Sequence, residues 1–307
     1  MSIVFNPVQI YTVTEDYSGT RLDNCLLSKM KGIPRSKIYS IIRKGEVRVN
    51  KSRCKPSQKL KIGDEVRIPP YSNEHKVTKK AENILKDKLI NSIIVKDKKF
   101  IILNKPVGIA SHGGSGISLG VIEAFRQIDR SYKEAQLVHR LDKDTSGCLV
   151  IALRKSILRE FHKEIREGRV DKDYLALVKG RWPESIKTVE VSLLKDRLKS
   201  GEREVQIDPR GKNSISHFEV VTAKKTLSLV KCRIITGRTH QIRVHATHSG
   251  HPIVGDIKYG DKNFNKALKS DINRMMLHAH EIKFKNMKIE ATTKVPDDFV
   301  KLMKKHD

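Results

Sequence analysis

Residues 137–153 read LVHRLDKDTSGCLVIAL, a sequence in which a polar segment lies between two apolar runs. The second run, CLVIAL at 148–153, is apolar throughout and predicts a strand that is buried on both faces. The polar segment suits a turn, because Asp, Thr and Ser side chains bond to nearby backbone and Gly permits positive φ. Asp142 is therefore expected at the mouth of the core, where a carboxylate needs a partner.

A partner for this carboxylate is expected in ITGRTHQIRVHATHSG at residues 235–250. Thr239 is a candidate helix N-cap and Gly250 a candidate helix stop, which puts Arg243 in the first turns of a short helix. An arginine paired with Asp142 would keep the carboxylate ionised and oriented, as a base or nucleophile must be. A phosphate contact or a surface charge suits the spacing of Arg243 equally well.

A pair of acid and base carboxylates is the alternative interpretation of the turn. Asp142 and Asp144 are two residues apart, which in an extended segment separates their Cα atoms by about 7 Å. However, Arg140, Lys143 and more distant arginines favour the ionised form of both carboxylates, whereas a general acid must keep its proton. The sequence therefore favours one working carboxylate, Asp142, with Asp144 as a structural member of the turn.

The whole chain is strongly basic, with 62 Lys and Arg against 35 Asp and Glu in 307 residues and a formal net charge of +27. Such a charge favours a polyanionic partner, because Lys and Arg displace the counterions condensed on phosphates. The apolar runs SIIV, FIIL and CLVIAL are far shorter than the ~20 residues that span a bilayer, so no membrane partner is expected. No secretory signal pattern opens the chain, and we expect a cytosolic protein.

Cysteine and histidine spacing does not indicate a metal site. No C-x-x-C pair occurs among the four cysteines, which are Cys25, Cys54, Cys148 and Cys232. Four histidines do fall within twelve residues, namely His240, His245, His248 and His251. Arginine lies among them and no carboxylate follows until Asp256, so a divalent cation would meet repulsion. We predict neither a metal nor another cofactor.

Residues 20–70 are expected to form a small basic domain. RLDNCLLSKMKG and PRSKIYSIIRKG each read as a short helix that ends at a glycine. EVRVN and KLKIGDEVRIPP read as short strands. Residues 21–67 contain fourteen Lys or Arg against four Asp or Glu, which favours an RNA-binding surface over an ordinary solvated one.

The rest of the chain is expected to form a second, larger domain. Residues 71–90 are polar and suit a linker, with room for a short helix. From residue 91 to residue 307, apolar strand-like segments outnumber helical ones and do not alternate with them regularly. This pattern predicts an α+β fold with a mixed, mainly antiparallel sheet.

The motifs of both domains resemble known families. HRLDKDTSG at 139–147 resembles the H-R-L-D-x-x-T-S-G signature of RluA-type RNA pseudouridine synthases, and residues 20–70 resemble the S4 RNA-binding domain. The combination is most similar to the branch that modifies large-subunit ribosomal RNA. Further segments resemble the other family motifs in the same order: KPVGIASHGG (105–114), DKDYLALVKG (171–180), GRTHQIRVH (237–245), GHPIVGDIKYG (250–260) and LHA (277–279).

The resemblance implies an enzyme that converts uridine in RNA to pseudouridine without metal, nucleotide or redox cofactor. Asp142 matches the catalytic aspartate, and Arg243 matches the arginine paired with it. Tyr174 matches the tyrosine that stacks on the target base and helps to remove the C5 proton. Arg140 would fill the space that the target nucleotide leaves when it flips out of the RNA.

Other residues receive less specific expectations from the resemblance. Leu277 and His278 would form the pocket wall, Lys105 and His112 would contact phosphate or sugar or shape a loop, and HGGSG at 112–116 would be a flexible loop near the site. The partner is expected to be large-subunit ribosomal RNA, and the protein a monomer by default. The residues expected to contact RNA in the S4 domain are Arg35, Ser36, Lys37, Arg43, Lys44 and Arg48.

Two other functions remain compatible with parts of the sequence. The charge and the S4-like region also suit a non-catalytic RNA-binding or ribosome-assembly factor. A nucleosidase would use a similar carboxylate but release free uracil. Intact Asp142, Tyr174 and Arg243 favour the isomerase over the binding factor.

Overall fold

A computed structural model describes residues 3–74, 81–113, 119–197 and 203–306 of the chain. The chain divides into two compact units. The first comprises Met1–Lys80 with Arg154–Ser156, and the second Ala81–Leu153 with Ile157–Asp307.

The first unit packs two helices against short strands. Its core contains Leu22 and Leu26 from the first helix, Ile38 and Ile42 from the second, and Val66 from a strand, all at most 3% exposed. The strands form two antiparallel groups, β1 with β5 and β2-β4-β3. The elements are α1 (Leu22–Lys29), α2 (Arg35–Arg43), β1 (Ile3–Asn6), β2 (Gln9–Thr12), β3 (Arg48–Val49), β4 (Glu65–Ile68) and β5 (Tyr71–Glu74). Both helices predicted for this region are confirmed.

The second unit is built on one large sheet with helices around it. Its strands are β6 (Ile93–Lys96), β7 (Phe100–Lys105), β8 (Gln136–Leu137), β9 (Ser146–Ala152), β10 (Val170–Lys179), β11 (Thr188–Arg197), β12 (Arg203–Ile207), β13 (Lys212–Ala223), β14 (Leu227–Ile234), β15 (Leu277–Phe284) and β16 (Ile289–Thr292). Its helices are α3 (Asn83–Ile90), α4 (Val121–Phe125), α5 (Lys155–Arg166), α6 (Gln241–His248), α7 (Lys262–Ala267) and α8 (Asp297–Lys305). The first two residues of α5 are grouped with the first unit. α3 lies within the segment 71–90 that the sequence suggests as a linker.

The sheet has the order β12-β11-β13-β14-β10-β15-β9-β7-β6, with β16 paired to β15 and β8 to β9. β9 and β15 run parallel, whereas the other described pairs in this sheet are antiparallel. The predicted α+β fold with a mixed, mainly antiparallel sheet is confirmed.

The strand predicted at 148–153 is β9, and every residue of β9 is buried. Leu149 and Ile151 pack into one apolar cluster, and Val150 and Ala152 into another. The continuous apolar run thus reflects burial on both faces of the sheet. β9 is hydrogen-bonded between β7 and β15, so the turn that precedes β9 is anchored at its C-terminal end.

Candidate active site

The turn before β9 presents Asp142 at the edge of the core, as predicted. The Asp142 side chain is 33% exposed. The backbone carbonyl of Asp142 accepts a hydrogen bond from the Thr145 amide at 3.2 Å. Gly147 closes the turn with φ +109°, and a β-carbon there would overlap the carbonyl oxygen of Ala279 on β15. Only glycine fits this close approach between the turn and β15.

Arg243 is the partner of Asp142. Its Nη1 donates to Oδ2 of Asp142 at 3.1 Å, while Nε and Nη2 donate to Oδ2 and Oδ1 of Asp256 at 2.7 and 2.9 Å. Asp256 is 1% exposed and also accepts from the amides of Lys258 and Tyr259. The guanidinium is thus fixed from behind by one carboxylate and presents its remaining edge to the other.

Burial and ion pairing act in opposite directions on this pair. Burial lowers the pKa of Arg243, but the hydrogen bonds and negative charges of Asp256 and Asp142 together outweigh it and leave the pKa raised. Burial likewise raises the pKa of Asp256, but the bonds and charge of Arg243, together with the amides of Tyr259 and Lys258, outweigh it and leave that pKa lowered. Both groups are charged at neutral pH, so a fixed positive charge stands beside Asp142.

The start of α6 differs from the prediction. The N-cap is His240, with φ 54° and ψ 19°, rather than Thr239. The His240 side chain makes no capping bond. Instead the Gln241 side chain accepts from the Arg238 amide at 3.0 Å and so holds the entry into the helix. Arg243 still falls in the first turn, as predicted.

Tyr174 lies on β10 opposite Cys232 of β14 and Ala279 of β15, next to a register shift between Asp173 and Tyr174. It is 8% exposed. Burial and the nearby Asp142 charge raise the pKa of Tyr174, so the phenol keeps its proton at neutral pH. A neutral phenol is a weak base, which favours stacking as the role of this ring over removal of a proton.

Lys105 does not face phosphate or sugar, one of the two roles expected for it. It is fully buried, and its ammonium donates to the carbonyls of Pro106, Ile109 and Lys143 at 2.9, 2.8 and 3.1 Å. Burial lowers the pKa of Lys105 to about 8, and the charges of Asp144 and Asp142 oppose this shift. Lys105 therefore shapes a loop, by joining the segment after β7 to the turn that carries Asp142.

Two supporting residues, Ser111 and His139, are not predicted from the sequence. Ser111 Oγ donates to the Leu141 carbonyl at 2.6 Å and accepts from the Leu141 amide at 2.9 Å, which fixes the residue before Asp142. His139 Nε2 accepts from the Val150 amide at 3.2 Å, and burial lowers the pKa of His139 to about 3. Both residues stand inside quoted motifs, but their bonding across the fold has no signal in local spacing.

His278 contacts the end of the turn at Ser146 and is buried, so it does not line an open pocket. It is 1% exposed, its Nδ1 lies 2.8 Å from Ser146 Oγ, and its Nε2 lies 2.7 Å from Thr293 Oγ1. Arg274 Nη1 donates to the same Ser146 hydroxyl at 2.8 Å. Ser146 is the first residue of β9, so this network anchors the end of the turn.

The remaining predicted site residues have simpler surroundings. Arg140 and Asp144 are exposed, and so is His112. Leu277 is 3% exposed and shares an apolar cluster with Tyr174. Residues 114–116 of the HGGSG segment lie outside the described residues.

The residues predicted to bind RNA in the first unit lie mainly on one helix. Arg48, which lies on β3, is half-buried. Beneath α2, the fully buried Asp23 carboxylate accepts two bonds from Arg21, one from the Tyr39 hydroxyl and a longer one from Arg35 at 3.4 Å, which ties α2 to the start of α1. The exposed residues of the predicted set are Arg35, Ser36, Lys37, Arg43 and Lys44.

The histidines that are close in sequence have separate partners in the structure. His240 lies against Tyr259, His245 against Ser214 and His251 against the Lys179 carbonyl. No three His, Cys, Asp or Glu side chains group as a metal site within the described ranges. Over the same ranges, no helix has the length and apolar character needed to cross a membrane.

Comparison with known proteins gives two family matches. Residues 99–248 match the RNA pseudouridylate synthase family, and residues 20–66 match the S4 domain. The first match contains Asp142, Tyr174 and Arg243. Human RNA pseudouridylate synthase domain containing 4 has a similar structure, with a TM-score of 0.59 and 25% identity over 71% of this chain and 94% of that one.

Curated relatives are similar over most of their length. The ribosomal large subunit pseudouridine synthase C of Haemophilus influenzae is 50% identical over 93% of this chain and 90% of its own. The protein of the same name from Escherichia coli strain K12 is 46% identical over 92% of both chains. The chain belongs to the RNA pseudouridylate synthase family, whose members isomerise uridine in RNA.

Proposed function

We propose that this protein isomerises specific uridines of large-subunit ribosomal RNA to pseudouridine, with Asp142 as its catalytic carboxylate. One observation carries the assignment of the site. Oδ2 of Asp142 is held by Arg243, yet a third of the Asp142 side chain stays open to a substrate. The names of the curated relatives support the choice of RNA.

The reaction suits a site with one working carboxylate. The N1–C1′ bond breaks, the uracil turns, C5 bonds to C1′, and the C5 proton is replaced by a proton on N1. Asp142 acts on the ribose or the base, and Arg243 keeps its carboxylate oriented. The uracil never leaves the site, so no second carboxylate is needed to deliver water. The Tyr174 ring stacks on the base as it turns.

The S4 domain, which we assign to residues 20–70, binds the RNA backbone through its positive charges. Its exposed positive charges include Arg35, Lys37 and Arg43 on α2 and Lys44 directly after it, and Arg35 also bonds to the buried Asp23. Contacts of this kind fix the orientation of an RNA without reading its bases. Residues 91–307 carry the chemistry, and Arg140 takes the space of the flipped nucleotide. The working form is a cytosolic monomer.

Release of tritium from RNA labelled at uridine C5 tests the assignment of Asp142. The wild-type protein should release tritium from ribosomal RNA, and Asp142→Asn should lower the rate at least about 10⁴-fold, as loss of a central catalytic group does. Asp144→Asn is the matched control and should keep most of the activity. Substantial release by Asp142→Asn would refute the role of this carboxylate.

The substrate is tested in cells that lack the protein. Carbodiimide treatment and sequencing of their ribosomal RNA should show loss of pseudouridine at a few large-subunit positions. An unchanged pattern would refute the choice of RNA. Free uracil in the purified reaction would indicate a nucleosidase, and tight RNA binding without tritium release would indicate an assembly factor.

A further inference from the structure

His240 stands beside the proposed catalytic carboxylate in an unusual backbone conformation. Its φ of 54° and ψ of 19° are left-handed, a region that residues with a β-carbon seldom occupy. Such conformations persist where the surrounding structure enforces them, and they concentrate at functional sites. Here the conformation brings the His240 Nε2 to 3.8 Å from Oδ2 of Asp142.

The hydrogen bonds of Tyr259 indicate which imidazole nitrogen of His240 carries the proton. Tyr259 Oη accepts from the Val205 amide at 3.0 Å and lies 2.9 Å from Nδ1 of His240. Burial raises the pKa of Tyr259, so its hydroxyl is protonated and can donate to Nδ1 of His240 while it accepts from the Val205 amide. Among the described neighbours of this hydroxyl, the acceptor is Nδ1 of His240. We assign the N–H to Nε2, because this tautomer lets Nδ1 accept from the Tyr259 hydroxyl.

The imidazole is neutral in this position. Burial lowers the pKa of His240, and Arg243 and Lys258 act in the same direction against the opposing charges of Asp142 and Asp256. The site thus holds an N–H donor and a carboxylate acceptor 3.8 Å apart, too far for a direct hydrogen bond. A single oxygen atom at about 2.8 Å from each fits between them.

That donor and acceptor match a group that accepts one hydrogen bond and donates another. Within an RNA strand, the 3′ and 5′ oxygens of uridine are esterified, O2 and O4 only accept, and N3–H only donates. The 2′-hydroxyl does both. We propose that Nε2–H of His240 and Oδ2 of Asp142 together bind the 2′-hydroxyl of the target uridine.

This inference rests on the proposed function, and it assigns separate tasks to the two carboxylate oxygens of Asp142. Oδ2 accepts from Arg243 and from the 2′-hydroxyl, which leaves Oδ1 as the oxygen that acts on the reacting atoms. His240 contacts the substrate and positions it, and the pair makes the site selective for ribose over deoxyribose. Tyr259 acts through His240 as a positioning residue.

The test combines a protein change with a substrate change. Single-turnover tritium release is measured for wild type and His240→Leu on two synthetic RNAs that differ only in the presence of the target 2′-hydroxyl. On the ribose substrate, His240→Leu should be slower by about tenfold, the effect of removing one hydrogen bond. On the deoxyribose substrate, the two proteins should differ by less than about twofold, because the partner atom is absent.

Two further variants separate the hydrogen bond from the shape of the side chain. His240→Gln places an amide N–H near the position of Nε2 and should retain activity within about threefold of wild type. His240→Asn tolerates the left-handed backbone but falls short of the ribose, and it should be as slow as His240→Leu. The rate of tritium release by Tyr259→Phe should fall between the rates of His240→Gln and His240→Leu. Urea unfolding of each variant verifies that the fold is intact.

The outcomes are decisive in either direction. An equal loss by His240→Leu on both substrates, or a Gln variant as slow as the Leu variant, would overturn the proposal while leaving wild-type activity, and so the proposed function, intact. If release from the deoxyribose substrate is too slow to detect, the rates of His240→Gln and His240→Leu on the ribose substrate decide whether the proposal holds. Absence of release by wild type on any ribosomal RNA would instead refute the proposed function.

Discussion

The buried Asp256 carboxylate shows how one residue supports both stability and the site. It is 1% exposed and makes a two-bond ion pair with Arg243. Asp256→Asn leaves a buried guanidinium short of its counter-charge, so we expect a loss of about 3 kcal/mol in unfolding free energy and a lower turnover rate. Urea unfolding and tritium release measure the two effects.

An exposed ion pair provides the control for this substitution. Arg210 bonds to Asp208 with the same two-bond geometry, but the Arg210 side chain is 82% exposed. Asp208→Asn should therefore change the unfolding free energy by less than about 1 kcal/mol. Equal losses in the two variants would contradict the importance assigned to Asp256.

His139 gives the protein a defined sensitivity to acid. Burial lowers the pKa of His139 from 6.5 to about 3 in the folded state. Between those values the unfolded chain binds the extra proton, so the stability that His139 contributes is present above pH 6.5 and is lost as the pH falls toward 3. His139→Gln keeps an acceptor for the Val150 amide and should lessen this dependence by up to about 1.4 kcal/mol per pH unit. Unfolding at about pH 4 to 6 measures the slopes, and parallel slopes for the two proteins would refute the prediction.

At the scale of elements, the turn before β9 depends on its contact with β15. Gly147→Ala forces a β-carbon into the Ala279 carbonyl at φ +109°, so we expect about 3 kcal/mol of destabilisation and strongly reduced activity. Gly168 also has positive φ, at +67°, but no atom lies within 4 Å of the added carbon. Gly168→Ala should therefore cost only about 1 kcal/mol, and thermal unfolding of both variants compares them. A Gly147→Ala protein as stable as Gly168→Ala would mean that the turn can shift away from β15.

At the scale of the whole molecule, the proposed S4 surface should control affinity and leave chemistry unchanged. Replacing Lys37 and Arg43 with glutamine should weaken RNA binding and reduce the salt slope by about 0.7 to 0.9 for each phosphate that these side chains neutralise. The single-turnover rate at saturating RNA should stay within about twofold of wild type. Lys301→Gln with Lys304→Gln, on the exposed face of α8, removes the same charge and is the control. Equal weakening of RNA binding in both double variants would indicate a diffuse charge effect.

The fold class was predictable because the hydrophobic pattern is strong where burial is complete. CLVIAL predicted a strand buried on both faces, and β9 is one. The two short helices of residues 20–70 were predicted from their periodicity and their glycine stops, and α1 and α2 confirm them. The predicted N-cap of α6 was one residue too early. His240 adopts a left-handed conformation that cannot be predicted from its residue type.

The sequence by itself determined the polyanionic partner, the family motifs and the buried strand that carries Asp142, because charge, motif order and periodicity are local properties of the chain. Only the tertiary structure decided that Arg243 is shared between Asp142 and Asp256, that Lys105 is fully buried, and that His240 Nε2 lies 3.8 Å from the Asp142 carboxylate. Asp142 and Arg243 are about a hundred residues apart, and the contact between them exists only after the sheet has formed. Spacing along the chain does not tell which charged side chains contact one another in the folded protein. The pairing of the side chains within the site is therefore a property of the fold.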